Sequence, residues 1–249
     1  RTNSVAAAIL TESRDPNHYL SEHSANVFYL ALVLGNAIRG YVQRARASVA
    51  SKSNRASTVP LNLTPLALGA LFQDVSLWPM EHLYRSCAPL TTEQRELIRE
   101  HPDASAEMLP PGIPGSTIKA VRMHHENMDG SGYPYGMVGD EIHLFARILR
   151  ICDAFDAATA FKMHARPKSP VRALAEMTLG PYSRLYDPQL LKVFSHLVQP
   201  YPIGAKVKLS AGGYGVVVRH SKEDPFRPTI IIAFDERGER LSKQDYIGP

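Results

Sequence analysis

The sequence predicts a mainly α-helical domain followed by a small antiparallel β subdomain. Over residues 1–199, apolar positions recur at the spacing of helices, and several runs begin with a capping residue or a proline. Over residues 200–249, short alternating and β-branched runs separated by glycines replace that pattern. With 249 residues and 44% hydrophobic content, the chain is long enough to bury a complete core.

The first predicted helix covers residues 17–42. Asp15 offers an N-cap, and Pro16 occupies the first helical position, where its missing N–H group has no helical partner to lose. The run that follows is mostly apolar and rich in leucine and alanine, which indicates a long and largely buried helix. Residues 47–58 combine serine, lysine and arginine without apolar periodicity, so we expect a flexible loop there.

The helices that follow have recognisable start signals. One runs from Thr64 toward Asp74, and another starts near Thr91, whose spacing to Gln94 fits a capping box. The helix after Thr91 is expected to continue to about Leu109. Four more are predicted over residues 117–126, 141–159, 170–179 and 188–198.

The β subdomain is predicted to contain about four strands. Val207 and Leu209 alternate with polar residues, and residues 216–218 and 229–234 are rich in β-branched side chains. Glycines between these runs favour turns, and a last strand is expected near Leu241.

Composition excludes several classes of function. The 28 Lys and Arg residues exceed the 24 Asp and Glu residues by only four and are spread along the chain, so nothing indicates a nucleic-acid partner. No apolar run approaches the roughly 20 residues of a membrane span. The two cysteines, Cys87 and Cys152, are too few for a disulfide framework, which favours a cytoplasmic location. Because the sequence begins at Arg1, we expect it to be part of a longer chain.

Histidines and aspartates on five predicted elements are candidate metal ligands. Two adjacent histidines end a helix just before a glycine-rich loop. Asp153 and Asp156 lie three residues apart in an apolar helix, so their carboxylates point to one side, where a buried charge needs a partner such as a metal ion. Mixed imidazole and carboxylate donors suit iron or manganese better than calcium. The full candidate set is His23, Asp74, His101, His124, His125 and Asp153.

Each of these residues also has an ordinary explanation. A single helical histidine such as His23 or His101 is more often a surface or satisfied core residue. Asp74 or Asp153 can be a helix cap or a salt-bridge partner. The joint occurrence of all six is what favours a metal site.

The segment that carries the paired histidines runs His124-His125-Glu126-Asn127-Met128-Asp129-Gly130-Ser131-Gly132-Tyr133-Pro134. Together with Ala146-Arg147-Ile148 and the stretch from Asp153 to Ala157, it resembles the signature of the HD-GYP branch of the HD phosphohydrolases. The resemblance covers about residues 16–198. It implies an HD-type helical bundle that holds two or three metal ions, typically iron or manganese. It also implies hydrolysis of the bacterial second messenger cyclic di-GMP to pGpG or GMP by a metal-activated water.

The resemblance also implies a role for individual residues. The six candidate ligands match the family's ligand positions, with Asp74 as the catalytic aspartate that bridges two ions. Tyr133, with Gly132 and Asp129, is expected to line the nucleotide pocket, and Lys162 stands where the family has an arginine that meets a phosphate. The loop from Gly132 to Pro134 is where family members are thought to contact diguanylate cyclases, so a signalling protein is a second expected partner.

The sequence departs from the family pattern at one motif above all. The family's HDxGK is Gln73-Asp74-Val75-Ser76-Leu77 here, so a metal-binding histidine is replaced by an amide and a lysine by an apolar residue. We therefore expect one strong metal position and a second one weakened by Gln73, unless Glu22 or Glu126 supplies a substitute ligand. Tyr19, in place of a glutamate, argues against a third ion, and Ala165 lacks the charge of a further basic position.

Three hypotheses for function follow. The first is a cyclic di-GMP phosphodiesterase whose activity is reduced by the loss of the histidine and lysine. The second is an inactive module that binds cyclic di-GMP or a partner protein. The third and weakest is hydrolysis of a different phosphate ester, because the fold alone does not fix the substrate.

Overall fold

The computed structural model describes residues 18–53, 61–85, 90–160, 166–210, 212–235 and 237–239. The helices are α1 (Tyr19–Ser53), α2 (Thr64–Phe72), α3 (Glu81–Arg85), α4 (Thr92–Arg99), α5 (His101–Glu107), α6 (Gly115–Met123), α7 (Leu144–Thr159), α8 (Pro170–Thr178) and α9 (Pro188–Val198). Shorter 3-10 turns cover Val75–Met80, Gly139–Glu141 and Pro181–Leu185. The strands are β1 (Lys206–Lys208), β2 (Tyr214–Arg219) and β3 (Thr229–Phe234). The predicted fold class, mainly helical with a small antiparallel sheet, is confirmed.

Most of the predicted helix boundaries lie within a few residues of the observed ones, and two predictions differ more strongly from the structure. Helix α1 continues to Ser53, so the loop expected over residues 47–58 is wrong for residues 47–53, where alanine and lysine are good helix formers; residues 54–58 lie outside the described part. The single helix expected after Thr91 is two helices, α4 and α5, which are separated at Glu100. Pro102 is in the first turn of α5 and lacks the N–H group that would continue the hydrogen bonding of α4. The predicted capping box of Thr91 and Gln94 is present.

The helical unit is organised around α1 and α7. Helix α1 packs against α2 and α7, while α6 packs against α2, α5 and α7. Buried positions of α1 recur every three or four residues and therefore form one face, which includes Leu20, His23, Ser24, Val27, Leu30, Ala31, Leu34 and Ile38. A Cβ atom on Gly35 would lie 2.8 Å from Leu66 Cδ2, so glycine permits the close approach of α1 and α2. The same packing carries His23 into the interior.

The sheet lies in a second compact unit, which contains the residues from Ser195 onward. Its strands are antiparallel in the order β1-β2-β3, with Val207 opposite Gly215 and Val216 opposite Ile231. The contact pattern divides the chain between Phe194 and Ser195, within α9. The strand expected near Leu241 lies outside the described residues. Among the residues that are described, no helix combines the length and apolar character needed to cross a bilayer.

Candidate metal centre

Asp74 lies where α2 gives way to the 3-10 turn at Val75–Met80, and it is buried. Ser76 fastens this turn to α5, because its hydroxyl lies 2.9 Å from the Ser105 hydroxyl and donates to the carbonyl of His101 at 3.2 Å. The Ser76 amide also donates to the Ser105 hydroxyl. These bonds hold the Asp74 carboxylate next to His101.

One cluster of candidate ligands forms around the first oxygen of Asp74. Its Oδ1 atom lies 3.1 Å from His101 Nε2 and 3.6 Å from His124 Nε2, and these two nitrogens are 3.0 Å apart. His125 completes the group, and one possible ligand atom from each of the four residues lies within 4.8 Å of the others. The cluster thus contains three imidazoles and one carboxylate.

Backbone carbonyls fix the orientation of two of these imidazoles. His101 Nδ1 lies 2.5 Å from the Ile98 carbonyl, and His124 Nδ1 lies 2.6 Å from the Val121 carbonyl. The helical partner of the Ile98 carbonyl would be the amide of Pro102, which has no N–H group. Because each Nδ1 donates to a carbonyl, both Nε2 atoms are turned toward Asp74, where they can bind a cation together with its carboxylate.

A second cluster forms around the other oxygen of Asp74. His23 Nε2 lies 3.5 Å from Asp74 Oδ2 and 2.9 Å from Asp153 Oδ1. The other ring nitrogen of His23 lies 2.7 Å from a carboxylate oxygen of Asp156. That contact matches the carboxylate–histidine–metal arrangement, in which an outer carboxylate orients the ligand. Asp156 was noted in the sequence for facing the same side as Asp153, but its bond to His23 could not be predicted from spacing.

The charges of the two clusters depend on each other. Burial alone would lower the pKa of His23, but hydrogen bonds to Asp153 and Asp156 outweigh it and raise the pKa to about 10. Burial opposes ionisation of Asp74, but its bonds to His101 and His124 hold the pKa of its carboxyl well below the usual range. Burial lowers the pKa of His125, and the neighbouring His124 lowers it further. Without metal, His23 therefore carries a proton that an incoming ion must displace.

Gln73 does not point an oxygen at the second cluster. Its side chain is fully buried, and its Nε2 donates to Asp74 Oδ2 at 3.2 Å. Its Oε1 is buried and accepts no hydrogen bond from any residue that the structure describes. The side chain at the family's histidine position thus uses a lone pair of Asp74 and offers no metal ligand in this orientation.

An apolar cluster occupies two positions where the family has polar side chains. Tyr19 and Leu77 pack together with Leu20 and Ala160, and Met80 and Ile98 cover them. The Tyr19 ring also stacks on His23, with centroids 5.5 Å apart and planes at 12°. The surroundings of His23 are therefore apolar at position 19, where the family has a further metal ligand, and at position 77, where it has a lysine that faces the substrate.

The glycine-rich loop is held against the first cluster by Glu126. This buried carboxylate accepts hydrogen bonds from the amides of Tyr135 at 2.7 Å and Met137 at 3.0 Å. Tyr133 donates its amide to the His125 carbonyl, and its ring stacks on the His125 ring with centroids 4.7 Å apart. Since Glu126 is committed to the loop, it supplies no substitute ligand, and neither it nor Glu22 belongs to the two clusters found in the described residues.

Glycine is required at position 132 because the loop passes very close to the backbone that follows α6. An added Cβ atom would lie 2.5 Å from Glu126 Cα and 2.6 Å from the His125 oxygen, and closer still to the Asn127 nitrogen. We expect Gly132→Ala to lower the free energy of unfolding by about 1–3 kcal/mol, because backbone must move to admit the methyl group. Denaturant unfolding measures the loss.

Gly115→Ala is the control for that prediction, since an added Cβ atom at Gly115 meets nothing within 4 Å. Alanine there is expected to leave stability unchanged or to raise it by about 0.4–1 kcal/mol. Equal unfolding free energies for the two variants would show that the loop adapts to the methyl group without strain.

The remaining predicted site residues lie away from the clusters or outside the described part. Asp129 is exposed, and its carboxylate binds Arg184 at 3.0 Å and accepts from the Ser131 hydroxyl at 2.6 Å. Gly132 positions Tyr133 through its backbone. Lys162 and Ala165 lie outside the described residues.

Comparison with known proteins identifies the family. A model described as the HD domain matches residues 30–190. This chain is an HD domain of the HD-GYP type. HD domains bind divalent metal ions, and the donors of the first cluster fit one, because three imidazoles and a carboxylate each place a possible ligand atom within 4.8 Å of the others.

Two curated relatives act on cyclic dinucleotides. The cyclic di-GMP phosphodiesterase PA4108 of Pseudomonas aeruginosa is 31% identical over 152 residues, which are 60% of this chain and 36% of that protein. The 3′3′-cGAMP-specific phosphodiesterase 3 of Vibrio cholerae is 46% identical over 54 residues, which are 22% of this chain and 12% of that protein. The HD-GYP domain thus spans only 36% of the length of the Pseudomonas relative.

A solved structure shows the same fold. Bd1817, an HDG"Y"P protein from Bdellovibrio bacteriovorus, matches with a TM-score of 0.51 at 19% sequence identity. The match covers 72% of this chain and 52% of that one. At this level of identity the likeness supports the fold and nothing beyond it.

Proposed function

We propose that this HD-GYP domain is a metal-dependent phosphodiesterase that hydrolyses cyclic di-GMP slowly, with one firmly held metal ion. The observation that carries the proposal is the convergence of Asp74, His101 and His124, whose ring orientations turn both Nε2 atoms toward one carboxylate. The named activities of the relatives support a cyclic dinucleotide as substrate. Iron(II) and manganese(II) are the proposed ions, because imidazole and carboxylate donors suit them.

The two clusters give the chain's residues different tasks. His101, His124, His125 and Asp74 would hold the firm ion, and His23, Asp74 and Asp153 a weaker one. Bound metal supplies an activated water and neutralises charge on the phosphodiester. Asp156 retains the proton on His23 Nδ1 and so orients that ring. Burial of Asp74, His101 and His124 strengthens every charge interaction at this point by excluding water.

Slow turnover follows from the residues around the second cluster. Gln73 donates to Asp74 and does not ligate, which leaves three donors where the family has four. Leu77 is packed against Tyr19 and has no charge for a phosphate. The same two observations favour the second candidate function, a module that binds cyclic di-GMP without hydrolysing it.

A protein partner and a cellular location belong to the same proposal. The exposed loop around Pro134 and Tyr135 suits contact with a signalling protein such as a diguanylate cyclase. A cytoplasmic location is proposed from the low cysteine content and from the cytoplasmic origin of a bacterial second messenger.

The proposal is tested by turnover. The purified chain is loaded anaerobically with Fe(II) or Mn(II), then incubated separately with cyclic di-GMP and with 3′3′-cGAMP, and products are separated by chromatography. Slow, chelator-sensitive release of pGpG or GMP from cyclic di-GMP is expected, with less product from 3′3′-cGAMP. A folded, metal-loaded sample that yields no product but binds cyclic di-GMP would select the binding module. Absence of both product and binding would overturn both functions.

A further inference from the structure

A cavity opens beside the first metal cluster, between the end of α4, the start of α5 and the glycine-rich loop. Its volume is about 340 Å³, and it is lined by Arg99, Glu100, Asp103, Tyr133 and Pro134. None of these residues is a candidate metal ligand. The cavity is therefore a place where a ligand can be held next to the metal without replacing a metal-binding side chain.

Tyr133 connects this cavity to the metal cluster. Its ring stacks on His125, and the guanidinium carbon of Arg99 lies 4.4 Å from the centroid of the same ring. A cation over an aromatic face is attracted by it, so Tyr133 holds the guanidinium in place. The guanidinium has five N–H donors, and those that do not face the Tyr133 ring can donate to another acceptor.

The salt bridges around the cavity do not use Arg99, which can therefore bind an anion. Arg122 pairs with Asp103 at 3.3 Å, and Asp103 also accepts a hydrogen bond from the Tyr135 hydroxyl. Arg99 forms no salt bridge within the described part of the chain. Glu100 is the remaining carboxylate of the lining, and a bound anion must lie on the Arg99 side of the cavity to avoid it.

Two of the three basic positions expected near the substrate are lost, and Lys162 is the one that is kept. Leu77 replaces the family's lysine and is buried in the apolar cluster with Tyr19. Ala165 replaces another basic residue. A phosphodiester carries negative charge in every ionisation state relevant to the cell, so a site that lacks these cations needs one from another element.

We propose that Arg99 binds a phosphate of the cyclic dinucleotide and supplies the positive charge that is missing at position 77. The proposal rests on the proposed function and assigns a specificity residue to it. A guanidinium offers parallel N–H donors in its plane, which is the geometry that phosphate oxygens accept in pairs. Its position against Tyr133 places that phosphate on the His125 side of the metal cluster.

Equilibrium binding of cyclic di-GMP tests this assignment. Calorimetric titration is performed on the unaltered chain and on Arg99→Ala, both with Mn(II) and after metal removal. Loss of the phosphate contact is expected to raise Kd at least about tenfold. Arg99→Lys, which keeps the charge but not the planar donors, is expected to lose less.

Arg95→Ala is the matched control, because Arg95 is one turn earlier on α4 and donates to the Leu90 carbonyl outside the cavity. Its Kd is expected to stay within about twofold of the unaltered chain, since screened surface charges contribute little. Equal affinities of Arg99→Ala and Arg95→Ala would overturn the role of Arg99 while leaving cyclic di-GMP as the ligand. No binding by the unaltered chain in either state would overturn the proposed function, and this assignment with it.

Discussion

Replacing Asp74 with alanine is expected to weaken metal binding at both clusters and to lower turnover of cyclic di-GMP by at least about a hundredfold. The reason is that both clusters share this carboxylate: Oδ1 faces His101 and His124, and Oδ2 faces His23. Without it, the first cluster falls from four donors to three and the second from three to two. Two remaining donors do not hold a divalent ion firmly in competition with water.

Metal content per chain, measured by elemental analysis after dialysis, and product release are the two readouts for Asp74→Ala. Asp140→Ala is the control, because it removes the same charge from an exposed side chain whose salt bridge, among the described residues, is with Arg147 at 3.1 Å. That surface pair is worth roughly 0–1 kcal/mol, so neither readout is expected to change. Retention of metal and activity by Asp74→Ala would show that the ion is held elsewhere.

The grouping of several candidate ligands is predictable from the sequence because helical spacing limits the directions in which their side chains can point. His23 falls among buried positions that recur every three or four residues along α1. Asp153 and Asp156 are three apart in a helix, and both reach His23 from one side. His124 and His125 are neighbours at the end of α6, so one cluster can include both. In each case a local pattern fixes the direction of the side chain.

Other features depend on contacts between distant segments, which no local pattern specifies. Tyr19 and Leu77 meet through packing, and each alone is an unremarkable apolar or aromatic residue. The amide of Gln73 turns its nitrogen to Asp74 only because that carboxylate carries negative charge in the folded site. Arg99 gains its role from a stack with Tyr133 on a separate loop.

The break between α4 and α5, which the sequence does not predict, determines the orientation of a metal ligand. The sequence predicts one continuous helix there, but Pro102 cannot donate to the Ile98 carbonyl. The ring of His101 bonds to that carbonyl instead, which turns Nε2 toward Asp74. A helix uninterrupted at this point would satisfy the carbonyl with a backbone amide and leave the imidazole without this restraint.

Restoring histidine at position 73 is expected to raise the metal content from about one ion per chain to about two and to increase turnover about tenfold or more. The substitution removes the N–H donor that now occupies Asp74 Oδ2 and adds a fourth donor beside His23 and Asp153. The metal titration is the primary readout, because it reports the second position whether or not chemistry follows. Gln189→His adds the same imidazole at an exposed position on α9 and is expected to leave both values unchanged.

Substituting position 73 without position 77 shows whether slow turnover is caused by the weak second metal position or by something else. Leu77→Lys would also restore a family residue, but the side chain at position 77 is 3% exposed and packed against Tyr19. Lysine placed there either loses its charge or disrupts the apolar cluster, so its effect on activity has no single meaning. With Gln73→His, a second ion accompanied by faster turnover identifies metal occupancy as the limit. A second ion without faster turnover would instead show that metal occupancy is not the limit.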